Sequence, residues 1–147
     1  MKPQTKNNID SKSILSKNGI SRTEFRTELL NLFYSSNVSF SVEDILRIFD
    51  NSVNKVTVYR SLESFEQKGL IHQVPDPNNL KRYSLCKADE CREGSHNHNH
   101  GHFICHSCNQ TFCLEEIISP DITCLKGFYV KELKLTAEGY CNSCYKN

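Results

Sequence analysis

Apolar residues repeat with helical spacing in three segments of the first half of the chain. In the first segment they fall at i, i+4, i+7 and i+8, on one helical face: Phe25, Leu29, Leu32 and Phe33. Ser21-Arg-Thr-Glu24 precedes this stripe and matches a capping box. Ser41-Val-Glu-Asp44 opens a second such stripe, made of Val42, Ile45, Leu46 and Phe49. A third helix is predicted from about Asn54 to Lys68, ending at Gly69.

The segment after the third helix has the pattern of a β-hairpin. Two short runs, 71–74 and 82–85, flank the turn Pro75-Asp-Pro-Asn-Asn79, and Pro and Asn supply turn geometry. Three helices followed by a hairpin predict a winged helix-turn-helix. Residues 1–20 are polar, and we expect them to form a mobile N-terminal arm.

The third predicted helix has two different faces. Its apolar stripe is Val58, Leu62 and Phe65, and a second face carries mostly hydrogen-bond donors: Thr57, Arg60, Ser61, Ser64 and Lys68. Such a face suits contact with DNA, although a solvated surface looks similar. This helix is the third short helix and precedes a wing, and that position favours DNA binding over a merely solvated surface.

The second half of the chain reads as strands. We expect strands at 102–105, 111–114 and 128–138, with a break near Glu132, where the parity of the apolar positions changes. This predicts a small α+β unit. At roughly 60 residues such a unit is marginal by itself, so bound metal or self-association would help to stabilise it.

Composition narrows the possible environments. The 147 residues contain no apolar run of membrane-spanning length, and the first residues lack the apolar core of a secretory signal, so we expect a cytoplasmic protein without a membrane partner. Eight cysteines in such a protein favour metal binding over disulfides. Residues 1–85 carry 12 basic and 9 acidic side chains, or +3, against 6 and 8, or −2, in the remainder. This bias permits DNA binding without arguing for it.

Two Cys-x-x-Cys turns predict a zinc site. Cys105, Cys108, Cys141 and Cys144 offer four thiolates to one tetrahedral ion. The 32 residues between the two turns are more than a compact zinc ribbon uses, so the site would clasp a folded domain. A histidine run, His96, His98, His100 and His102, precedes the first turn. Its first two members, His96 and His98, lie with Cys91 in a polar insertion that is solvated, forms an auxiliary metal site, or competes with His100 and His102 for an ion.

The motifs of both halves together resemble the ferric-uptake-regulator superfamily. They are Thr57-Val-Tyr-Arg-Ser-Leu62, Gly69-Leu-Ile-His72, His100-Gly-His-Phe-Ile-Cys-His-Ser-Cys108 and Gly139-Tyr-Cys-Asn-Ser-Cys144. The resemblance covers about residues 20–145 and implies a homodimeric, metal-dependent transcriptional regulator. It also implies that Thr57, Tyr59 and Arg60 face double-stranded operator DNA.

The resemblance further implies a regulatory metal site and its metal. The positions that bind the sensed metal in zinc-uptake regulators read His72, Cys86, His100 and His102 here, a donor set suited to zinc. A further site of the iron and peroxide branches falls on Asn99, Gly101 and Leu133, which are not competent ligands of that kind. We read Cys113 and Cys124 as small strand hydrophobes.

We therefore predict an α+β protein: an N-terminal winged helix-turn-helix followed by a small α/β dimerisation domain with a four-cysteine zinc site. Its parts are the arm 1–20, the DNA-binding domain 21–85, a hinge with a His-rich loop 86–101, and the dimerisation domain 102–147. The predicted function is zinc-responsive repression of metal-uptake genes, with one structural and one regulatory Zn2+ and no catalytic residues. The alternatives are sensing of Fe2+ or Mn2+ or of peroxide, a zinc storage protein, and a zinc enzyme.

Overall fold

The structure, a computed structural model, describes residues 9–86, 100–118, 120, 124–130 and 133–146. Its first part contains four helices: α1 (Ser11–Lys17), α2 (Glu24–Ser35), α3 (Val42–Ile48) and α4 (Lys55–Gln67). Each begins after a residue whose side chain accepts a hydrogen bond from a first-turn backbone N–H: Asp10, Thr23, Ser41 and Asn54. None of the described helices is both long and apolar enough to cross a membrane.

Two of the predicted helix starts hold and one is wrong. The capping box at Ser41 and Asp44 is present, and Asn54 caps α4, which ends just before Gly69, whose φ of 72° is left-handed. The cap of α2 is Thr23 rather than Ser21. The Ser21 hydroxyl instead accepts a hydrogen bond from the Arg26 guanidinium.

The predicted arm is also wrong over part of its length, because residues 11–17 form α1. Its Leu15 is fully buried against the core, and Ser11 Oγ donates to Asn31 Oδ1 of α2 at 2.5 Å. Ile14 and Leu15 of this helix, together with Ile20 just after it, pack into or against the core, and these contacts are enough to dock one short helix in a mainly polar segment. Residues 1–8 lie outside the described residues.

The predicted hairpin is confirmed as strands β2 (Ile71–Val74) and β3 (Arg82–Leu85), which pair antiparallel. A third strand, β1 (Phe40–Ser41), joins them in the order β1-β3-β2. Two residues are too few for periodicity to indicate a strand. The helices and this sheet enclose one apolar core, and together they confirm the winged helix-turn-helix: Leu15, Ile20, Leu29, Leu30, Phe33, Phe40, Val42, Ile45, Val58, Leu62, Phe65, Ile71 and Tyr83.

Arg82 ties the wing to the helices from a buried position. Its Nε donates to Asp76 Oδ2 at 2.9 Å and its Nη1 to the Ser39 carbonyl at 3.0 Å. Nη1 also lies 3.2 Å from Asp44 Oδ2. Burial by itself would raise the pKa of Asp76, but hydrogen bonds from Arg82 and from two backbone N–H groups hold it below its ordinary value.

The second part is built on a three-stranded sheet, in the order β5-β4-β8. Its strands are β4 (His100–Cys105), β5 (Thr111–Ile118) and β8 (Thr136–Gly139), with β6 (Cys124–Leu125) and β7 (Phe128–Tyr129) forming a separate hairpin. A short helix, α5 (Asn142–Tyr145), follows. The predicted segment 128–138 holds two separate strands, β7 and β8, which agrees with the predicted break within it; Glu132 itself lies outside the described residues. The predicted domain limits after the arm stay a prediction.

Buried polar contacts join the two parts. Thr111 Oγ1 at the start of β5 donates to the Pro75 carbonyl in the wing turn at 2.6 Å. The Thr111 backbone N–H donates to Ser39 Oγ at 3.4 Å. Because Thr111 is 1% exposed and Ser39 is fully buried, these bonds are shielded from water. They fix β5 against the wing.

Candidate metal centres and nucleic-acid interface

Four cysteines form the first candidate metal centre, which we call the cysteine cluster: Cys105, Cys108, Cys141 and Cys144. Their sulfur atoms all lie within 4.8 Å of one another, and Cys108 Sγ is 4.0 Å from Cys141 Sγ. Tetrahedral ligation with Zn–S bonds of about 2.3 Å requires sulfur atoms about 3.8 Å apart. The cluster therefore has the size of a zinc site with four thiolate ligands.

Strand register brings the two halves of the cysteine cluster together. Strand β8 runs parallel to β4, and Gly139 pairs with Cys105, so the chain leaves β8 beside the end of β4. Cys141 then caps α5, which carries Cys144. On the other side, Asn109 has a left-handed φ of 56° and its N–H donates to the Cys105 carbonyl, closing the first turn.

The thiols of the cysteine cluster have unequal environments. Backbone N–H groups of Cys108 and Cys141 lower the pKa of Cys105 to about 6. Burial raises the pKa of Cys108 to about 12. Thiols packed without a cation compete for protons, and a bound metal relieves this competition because it takes all of them as thiolates. The predicted zinc ligands are thus brought together, and their occupancy by zinc stays a prediction.

The second candidate centre, the histidine cluster, consists of His72, His100, His102 and Cys113. One ligand atom from each lies within 4.8 Å of the others. Cys113 Sγ is 3.4 Å from His72 Nε2, close to the roughly 3.6 Å that tetrahedral Zn–N and Zn–S bonds imply. The imidazole centroids are 4.8 to 5.9 Å apart. Three imidazoles and one thiol are therefore positioned around one point.

The sheet register explains how these four side chains meet. His102 and Cys113 are directly opposite each other in the antiparallel pair of β4 and β5, which places both side chains on one face. The register of the pair shifts between His100 and Gly101, just before His102. The fourth residue, His72, comes from β2 of the wing, so the cluster joins the two parts of the molecule.

Burial keeps the imidazoles of β4 uncharged. It lowers the pKa of His102 to about 4, with a further contribution from His100, and it lowers the pKa of His100 as well. His102 Nε2 is buried and has no hydrogen-bond partner among the described residues. A buried nitrogen of this kind favours a bound cation, because an unsatisfied polar atom is costly. Neutral imidazole is also the form that binds metal.

Cys86, the predicted thiolate ligand, lies beside the histidine cluster but outside it. Its Sγ is 3.4 Å from His72 Nδ1, whereas Cys113 Sγ lies at the same distance from Nε2. The structure thus brings together the three predicted histidines and adds Cys113, for which the sequence predicts only a small strand hydrophobe. The register of β5 against β4 was the missing signal, because it places Cys113 opposite His102.

The residues at the further metal site of the iron and peroxide branches form no ligand group among the described residues. Gly101 is buried, and a Cβ there would lie 3.5 Å from Ile117 and Leu135 side-chain atoms. Leu133 is apolar and 37% exposed. Asn99, Cys91, His96 and His98 lie outside the described residues.

The predicted DNA-contacting residues lie on α4. Arg60 is exposed, Tyr59 is 43% exposed and Thr57 is half-buried. Lys55 Nζ lies 6.0 Å from the centre of the Tyr59 ring, which adds a cation to this surface. Ser61, which we had placed on the same face, is instead 1% exposed and accepts a hydrogen bond from Arg26 Nε of α2 at 3.3 Å.

Comparison with known families matches residues 17–137 to the ferric uptake regulator family. The chain therefore belongs to this family. It is a metal-responsive, DNA-binding transcriptional regulator and not an enzyme.

The names of individual relatives refer to different metals. The chain is 30% identical to a ferric uptake regulation protein of Staphylococcus epidermidis over 96% of its own length and 99% of the relative's. Among solved structures, a zinc uptake regulator complexed with zinc and DNA has a TM-score of 0.63 at 22% identity, covering 92% and 91% of the two chains. A Francisella tularensis ferric uptake regulator with iron has a TM-score of 0.54 at 28% identity, covering 86% and 96%.

Proposed function

We propose that this protein is a zinc-responsive repressor, in which zinc at the histidine cluster promotes binding to operator DNA. One observation carries the proposal: three imidazoles and a thiol from both parts of the molecule converge within 4.8 Å. Because His72 belongs to the wing and the other three residues to the second sheet, occupancy would fix the relative orientation of the two parts.

The donor set supports zinc as the sensed metal. A thiolate and imidazoles suit zinc, whereas carboxylate and other oxygen ligands suit manganese and magnesium. None of the four cluster residues is a carboxylate. Ferrous iron is the second candidate, because the Staphylococcus epidermidis relative is named for ferric uptake regulation and because imidazole also suits iron. The two metals differ in their preference for the thiolate, so Cys113 supports zinc.

The cysteine cluster would hold a second, structural zinc ion. Its four ligands come from the second part alone, and a closed site of four thiolates leaves no position for exchange with a substrate. This ion would contribute folding free energy to a part with few buried residues.

DNA would contact the exposed residues of α4. Arg60 offers a planar donor fork to a guanine edge or to phosphates, and Thr57 and Tyr59 flank it by one turn or less. We propose a homodimer in which both α4 helices enter successive major grooves of a pseudo-palindromic site. Phe128 and Tyr129, which are 73% and 92% exposed, would lie in the surface between the two copies. As a regulator of promoters it would act in the cytoplasm.

The proposal is tested by DNA binding under buffered metal. Protein that retains only its tightly held metal is titrated against promoter DNA from its own and neighbouring genes, with zinc, ferrous iron or manganese added. We expect zinc-selective tightening that disappears in Cys113→Ser. Arg60→Ala should weaken binding at every zinc concentration while leaving metal affinity unchanged.

Two other outcomes of this titration would contradict parts of the proposal. Tightening by iron alone would replace zinc by iron as the sensed metal. Zinc binding without any DNA binding would contradict the repressor and indicate a storage protein, the remaining alternative class.

A further inference from the structure

The imidazole of His72 lies between two thiols. Cys113 Sγ is 3.4 Å from its Nε2, and Cys86 Sγ is 3.4 Å from its Nδ1. These two nitrogens point away from the ring in different directions, so one ion bound to His72 is approached through only one of them. His72 itself is 3% exposed, which leaves its ring little freedom to turn.

The remaining ligands select the nitrogen. His100, His102 and Cys113 form one group with His72, and Cys86 is not a member of it. Within this group Cys113 contacts His72 through Nε2. Cys113 also contacts Ser84 Oγ at 3.7 Å, directly across the wing from His72, and this contact holds the Cys113 side chain against β2 and β3. The ion therefore belongs between Nε2 and Cys113.

Binding through Nε2 determines what Nδ1 does. A neutral imidazole carries one proton, so a ring that uses Nε2 as a ligand keeps its proton on Nδ1. That N–H points at Cys86 Sγ, which is within reach as an acceptor. Ligating histidines regularly donate their second N–H to an acceptor that fixes the tautomer and the ring orientation. Cys86 is positioned to be this acceptor for His72.

The position of Cys86 is itself well fixed. Its backbone N–H donates to the Leu70 carbonyl at 2.9 Å, just before β2 begins, so the thiol is held beside the strand that carries His72. An acceptor fixed in this way can define the direction of an imidazole without touching the ion.

We propose that Cys86 is a positioning residue, which accepts a hydrogen bond from His72 Nδ1, and that Cys113 supplies the single thiolate ligand of the site. This inference rests on the proposed regulatory metal site and assigns different roles to its two thiols. It replaces the sequence-based expectation that Cys86 is the ligand.

Cobalt spectroscopy distinguishes the two roles. Full-length protein that retains one zinc ion per chain in the cysteine cluster is titrated with Co2+, and the thiolate-to-cobalt charge-transfer absorption is measured per bound ion. Cys113→Ser should abolish this absorption at the second site. Cys86→Ser should leave it at the wild-type intensity, because the hydroxyl still accepts from Nδ1–H.

A third variant tests the positioning role directly. Cys86→Ala has no acceptor, so its Co2+ affinity should fall by about 10- to 100-fold while the absorption of the bound ion is retained. Cys86→Ser should recover most of that affinity. Loss or halving of the charge-transfer absorption in Cys86→Ser would overturn the inference, since Cys86 would then be a ligand. Equal affinity of the Ala, Ser and wild-type proteins would also overturn it.

The cobalt titrations are carried out without DNA. Failure of the Cys86 assignment therefore leaves the zinc-dependent repressor intact, provided that zinc still tightens DNA binding. A wild-type protein that binds no Co2+ beyond the cysteine cluster would overturn the regulatory site itself.

Discussion

The two parts of this molecule are stabilised in different ways. The winged-helix part encloses 13 residues in one apolar core. In the second part, only four described residues are buried: Gly101, Ile104, Cys105 and Thr111. Several large aromatic residues of the second part are instead exposed, among them Phe128 at 73%, Tyr129 at 92% and Tyr145 at 79%. The comparison suggests that the first part folds by burial, whereas the second depends on metal and on a partner copy.

The two candidate metal centres also differ in how they relate to the two parts of the molecule. The cysteine cluster draws all its candidate ligands from the weakly buried part, where bound metal would add stability. The histidine cluster takes His72 from the well-packed part and three residues from the other, so a metal ion bound there would fix the orientation of the two parts.

Removal of the cysteine cluster should have the largest effect. In Cys105→Ser one zinc ion per chain is lost, and the free energy at stake is on the order of 10 kcal/mol for a structural zinc site. Amide hydrogen exchange should show β4, β5 and β8 unprotected while α2 and α4 stay protected. Cys113→Ser is the matched control and should keep β4 and β5 protected. Unchanged protection of β4 in a zinc-free Cys105→Ser protein would contradict the comparison.

Within the winged-helix part, the largest polar effect should come from Asp76→Asn. The change leaves the buried Arg82 with Asp44 as its remaining carboxylate, and we expect a loss of about 3 kcal/mol in the free energy of unfolding at pH 7. Asp50→Asn is the control, because this exposed residue has a left-handed φ of 51° that Asn tolerates. Denaturant unfolding measures both.

The Asp76 contribution should depend on pH with a definite sign. Because folding lowers the pKa of Asp76, its contribution is fully present above the ordinary value of 3.8 and is lost as pH falls through the lower folded value. The difference between wild type and Asp76→Asn should therefore shrink below pH 3.8. A difference that grows on acidification would contradict this assignment.

The smallest effect is expected at the junction between the parts. Thr111→Val keeps the side-chain shape but removes the hydrogen bond to the partly buried Pro75 carbonyl, at a cost of about 1 kcal/mol. It should also reduce the factor by which zinc tightens DNA binding, since β5 carries Cys113 two residues further on. Thr136→Val, at an exposed site, should change neither quantity. Reduced stability with an unchanged zinc effect would show that this junction is not part of the coupling.

The sequence was most informative where periodicity or motif spacing repeats. The faces of α2, α3 and α4, the wing hairpin and the two Cys-x-x-Cys turns were all predictable, because each depends on local spacing. Helix α1 was missed because its two apolar residues, Ile14 and Leu15, are surrounded by polar ones. Strand β1 has two residues, and its existence depends on pairing with β3, which local sequence does not encode.

The histidine cluster was only partly predictable for a similar reason. The resemblance indicated His72, His100 and His102, but Cys113 enters through the register of β5 against β4. Ser61 faces α2 rather than DNA, because the buried face of α4 is wider than the apolar stripe of Val58, Leu62 and Phe65. Register and packing are tertiary properties, and they decided both differences.

The central claim is that zinc at the histidine cluster and DNA at α4 bind to the same orientation of the two parts. The most direct test measures the zinc affinity of the histidine cluster with and without the promoter fragment that the protein binds. Linkage requires DNA to tighten zinc binding by the same factor by which zinc tightens DNA binding, typically about 5- to 150-fold. That result is predicted for the wild-type protein and should be absent in Cys113→Ser. A wild-type zinc affinity that DNA leaves unchanged would contradict the account.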